Sequence, residues 1–117
     1  MVRSITFAPD DPAKLIVDYD FNQRRISNAP EGVEAGFAAE NERVVHVVTK
    51  HVVEQVAGGA KIGRVQIYEH VGDVSSITVN VNIQDMQAWS AGQINDNAYR
   101  QIWQRQPAAY PYPAPKQ

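Results

Sequence analysis

Residues 31 to 57 repeat their apolar side chains at helical spacing. At about 100° per residue, Phe37, Val44, Val45, Val48, Val52 and Val56 share roughly a third of a turn. Glu42, Arg43, His46, Lys50 and Glu54 fall outside that arc. The spacing predicts a helix covering at least Ala35 to Val56 and stopped by Gly58-Gly59. Seven valines between positions 44 and 56 pull the other way, because β-branching lowers helix propensity. Residues 43 to 49 therefore also read as a buried strand. A one-faced helix must be laid on something apolar, and the rest of the chain offers strands.

Residues 3 to 8 and 14 to 21 read as two strands, with turn chemistry at Asp10-Asp11-Pro12 between them. On the second, Leu15, Val17, Tyr19 and Phe21 share one face, and Ile16, Asp18 and Asp20 share the other. Residues 22 to 32 read as a loop with room for a short strand around Ile26. Residues 62 to 70 and 74 to 83 read as a hairpin turning at Gly72-Asp73. Its second strand sets Ile77, Val79 and Val81 against Thr78, Asn80 and Asn82, the alternation of a sheet with one packed and one wet face. Val65 and Ile67 match the packed face, and Arg64, Gln66, Tyr68 and His70 the wet one. Short helices follow, from Asp85 to Ala91 and from Asn95 or Asp96 to about Arg105. The expected fold is α+β: an antiparallel four-stranded sheet of two hairpins, a long central helix packed on one face, short C-terminal helices and an extended Pro-rich tail. Residues 1 to 106 form the single domain, and residues 107 to 117 form the tail, which prolines hold near polyproline II.

Bulk properties narrow the function classes. The chain has 117 residues, 44% of them apolar, which is enough for one domain with its own core. It has no cysteine, so disulfides and thiolate metal sites are excluded. A net charge of −2 gives no electrostatic basis for binding nucleic acid or an anionic membrane. No apolar run is long enough to span a bilayer, and Met1 to Pro9 has no signal-peptide core. A cytoplasmic location, or one within a virus particle, is expected.

Few residues suggest chemistry. His46 and His51 are five apart, so on a helix they diverge by about 140° and cannot share an ion. No metal and no cofactor is expected; Glu42 and His46 read as a weak i, i+4 contact. Asp18 and Asp20 read as a solvated edge. Glu69 shares parity with Val65 and Ile67, so it either points inward as a ligand-binding carboxyl of raised pKa or reaches water where the strand frays. Trp103 reads as an anchor for the core or a partner, and Tyr110 and Tyr112 on the stiff tail as interface anchors. Arg100, Arg105 and the aromatics of the last helix suit stacking on single strands, which the overall acidity opposes.

Residues 39 to 81, with AEN at the helix start and YE at a strand end, resemble the helix and second hairpin of the tunnelling-fold pterin enzymes, the 6-pyruvoyl- and 6-carboxy-tetrahydropterin synthases. The resemblance implies an antiparallel four-stranded unit assembled into oligomeric barrels, with Glu69 as the pterin-holding glutamate. It covers about a third of the chain. No histidine precedes His46 to match that family's zinc ligands, and its catalytic cysteine is missing, so the fold is implied without the chemistry. The scarcity of catalytic groups and the Pro-rich tail favour a non-catalytic structural or interaction protein. Such a protein acts as a homo-oligomer or as a small subunit of a larger assembly, a virion or accessory component. A small ligand-binding protein or enzyme of tunnelling-fold type, with its site near Glu69, is the alternative.

Overall fold

In the computed structural model the described residues are 2–71 and 75–104. The order is β1 (Val2–Ala8), β2 (Asp11–Asp20), α1 (Gln23–Ser27), α2 (Val33–Ala57), β3 (Arg64–Val71), β4 (Ser75–Asn82), α3 (Ile83–Ser90) and α4 (Asp96–Gln104). The Pro-rich tail, with Tyr110 and Tyr112, lies outside the described residues. The α+β class, the four strands and the long helix are present.

The sheet, ordered β1-β2-β3-β4, is mixed and not antiparallel as expected. Both hairpins are antiparallel, but β2 and β3 run parallel, from Lys14 beside Arg64 to Asp20 beside His70. The cause is the one long helix, α2, in the crossover. A helix of 25 residues reaches about 37 Å, and a strand of ten spans about 33 Å. One such helix carries the chain from the end of β2 back past its start, so β3 must set out in the same direction. The antiparallel unit implied by the tunnelling-fold resemblance is corrected with it.

Residues 43 to 49 are helical, because their valines serve a helix face: Val44, Val45, Val48 and Val52 are buried while Val47 is exposed. They join Leu15, Val17, Val65, Ile67, Val79 and Val81 in one core. Met86, Tyr99 and Trp103 extend that core beneath α3 and α4. Residues 23–27 form a helical turn and not a loop or strand, because Asn22 accepts from the Arg25 backbone at 3.2 Å and Ile26 is drawn into the core. The face expected to be wet is not uniformly so: Tyr68 is buried in a second cluster with Ala8 and Ile16. Among the described residues, no helix is long and apolar enough to cross a membrane.

Candidate functional site

Where β2 and β3 end beneath the first half of α2, two glutamates meet opposite fates. The inward parity of Glu69 holds: it is fully buried, in register with Tyr19 on β2. Its visible partner is Asn41. With the amide nitrogen turned toward the carboxyl, that side chain donates to both oxygens, at 2.6 and 2.8 Å. Burial first, and then the negative charge of Glu40, push the Glu69 pKa well above the carboxylate range, favouring the neutral form.

Glu40 is also buried but is fully partnered. Arg43 holds it through Nε and Nη2, each at 2.9 Å, and the Asn22 backbone N–H donates to it at 3.0 Å. The Arg43 hydrogen bond is the main reason its pKa is lowered. In return Glu40 raises that of Arg43, whose Nη2 also donates to the Tyr19 hydroxyl at 2.9 Å. The result is an ionised glutamate clamped to arginine beside a glutamate that favours its proton. A cleft of about 480 Å³ is lined by Arg25, Glu40 and Arg43, and another of about 350 Å³ by Asn41, Phe37 and Trp103. Glu69 lines neither.

Trp103 lies in the core at 1% exposure, its indole N–H without a partner among the described residues. Asp18 and Asp20 each have a partner of their own: Asp18 meets His70 Nε2 at 2.9 Å and Asp20 meets Arg3 at 2.8 Å. Sequence reasoning noticed AEN but gave Asn41 no role and missed the Glu40–Arg43 clamp, whose i, i+3 spacing was the available signal. It also missed a stack of rings, His46 against Trp89 at 4.4 Å and Trp89 against Tyr99 at 5.2 Å.

A third feature lies along β1, which pairs only with β2 among the described residues. Ile5 is 58% and Phe7 52% exposed. With Val2, Val47 and Val48 they line an apolar groove of about 560 Å³ between the strand and α2. Comparison with protein families, curated proteins and solved structures finds no match to this chain.

Proposed function

We propose that the chain is a non-catalytic subunit that assembles with copies of itself through the edge of β1 that has no strand partner among the described residues. The observation carrying this is the open apolar groove beside that edge, with Ile5 and Phe7 more than half exposed. A strand edge presents unpaired N–H and C=O groups, and natural proteins usually blunt it with charge or proline. Here Arg3 is the only charged residue of β1, and it is tied back to Asp20. The occupant is a second copy. Antiparallel pairing of β1 with its own counterpart is self-complementary, and a two-fold axis perpendicular to the sheet keeps both α2 helices on one face. The two grooves then merge into one covered trough.

Light scattering on the purified chain tests this, with a dimer or larger mass expected. Ile5→Asp combined with Phe7→Asp should yield a folded monomer. Removing residues 107 to 117 tests the tail as an auxiliary arm through Tyr110 and Tyr112; loss of mass with the domain still folded is the expected result. A monomeric wild-type chain would refute self-assembly.

A second reading, a small-ligand site near Glu69, draws support from the neutral-leaning carboxyl of Glu69 and from the cleft that reaches Asn41. Its test is binding of a pterin by fluorescence, abolished by Glu69→Ala.

A further inference from the structure

One side-chain cluster is used by neither reading, although its Glu42 lines the cleft that reaches Asn41. On α2, Glu42 and His46 stand one turn apart, and the first turn of α4 brings Asp96 to them. Each offers a ligand atom, and all three atoms lie within 4.8 Å of one another. We propose that Glu42, His46 and Asp96 bind a divalent transition-metal ion. The absence expected from the sequence rested on His46 and His51 diverging and on the missing cysteines; this set uses His46 without His51 and needs no thiolate.

Three observations favour an ion over a chance grouping. The Nε2 atom of His46 is buried and has no hydrogen-bond partner among the described residues. Such atoms are uncommon, and a bound ion is one thing that satisfies them. The imidazole is also held in place, stacked on Trp89 at 4.4 Å and beside Tyr99 at 6.2 Å. The two carboxylates are each steadied through one oxygen. Arg100 donates to Oε2 of Glu42 at 3.0 Å, and Trp89 Nε1 donates to Oδ1 of Asp96 at 2.7 Å. Steadying of this kind is how outer groups orient metal ligands. Against one arginine, the two carboxylates leave a net negative charge for a cation.

Imidazole with two carboxylates and no sulfur suits zinc or manganese better than calcium or magnesium. Ligand atoms on one ion, with bonds of about 2.1 Å, lie at most about 4.2 Å apart, so small rotamer shifts complete the set. Three protein ligands leave further positions for water. The ion would tie α4 to α2.

The test uses the full chain stripped with EDTA and titrated with zinc chloride, followed by calorimetry and tryptophan fluorescence. One ion per chain is expected, with a fluorescence change from Trp89 and a higher melting temperature. His46→Gln and Asp96→Asn should each weaken binding at least tenfold, and His51→Gln, at an exposed position, should leave it unchanged. Asp96→Asn retains an acceptor for Trp89, so it keeps the test valid if the His46 variant fails to fold. Absence of stoichiometric binding overturns the proposal. So does binding that survives Asp96→Asn or that disappears with His51→Gln.

Discussion

The two sides of the sheet's own first hairpin differ more than their sequences do. On β2, Leu15, Val17 and Tyr19 share one face and are buried in the core with the valines of α2. On β1, Val2, Ile5 and Phe7 are comparably apolar yet stay exposed. The difference is cover. One helix lies over the inner face, and β1 lies beyond its reach. Alternation shows which side chains share a face, but burial depends on how far the covering layer extends.

Truncation in the covered half should have the largest effect. Ile67→Ala is expected to cost about 2–5 kcal/mol in denaturant melts, because a fully buried position loses transfer energy and gains a cavity. A loss below about 1 kcal/mol would mean that the covered half collapses around the gap and that the two strands differ less in packing.

The next effect is on pH dependence. Glu69 has a folded pKa well above its reference of 4.5, so above that reference the folded state binds more protons than the unfolded chain. Stability associated with Glu69 is therefore greatest below about pH 4.5 and declines as pH rises toward the folded pKa. Glu40, with its pKa lowered, acts in the opposite sense: its contribution is present above 4.5 and lost as pH falls. Glu69→Gln should flatten the decline toward neutral pH in urea melts, and Glu40→Gln should lower stability at neutral pH. An unchanged slope in Glu69→Gln would show that water reaches that carboxyl.

The smallest effect on stability is expected at the open edge. Ile5→Ser should change the monomer's unfolding free energy by less than about 0.5 kcal/mol, as at ordinary surface sites. Its effect should appear in association, as a concentration-dependent mass shift. A large destabilisation with no change in mass would mean that β1 is covered within its own chain.

Much of the fold was legible from periodicity. The valine arc located α2, and period-two patterns located the strands and the inner residues from Leu15 to Val81. The parallel pairing was not legible, because strand direction depends on how many elements cross between β2 and β3. The short α1 escaped notice because five residues give no periodic signal, although Asn22 carried a capping cue. For the site, parity put Glu69 on the inner face but did not decide between burial and fraying into water; the strand end does not fray, and Glu69 is buried. The approach of Asp96 to His46 was hidden, since it depends on how the turn between α3 and α4 folds back.

The parallel register also bears on how the chain reaches this fold. Each hairpin joins neighbours and can form early. The central pairing joins Lys14 to Arg64, 50 positions apart (64 − 14), and cannot form until α2 is laid down and a long loop is closed. The two hairpins therefore have to wait for each other, with the open β1 edge unprotected meanwhile. Folding speed, and the time this chain spends vulnerable to sticking to its neighbours, are set at the seam between β2 and β3.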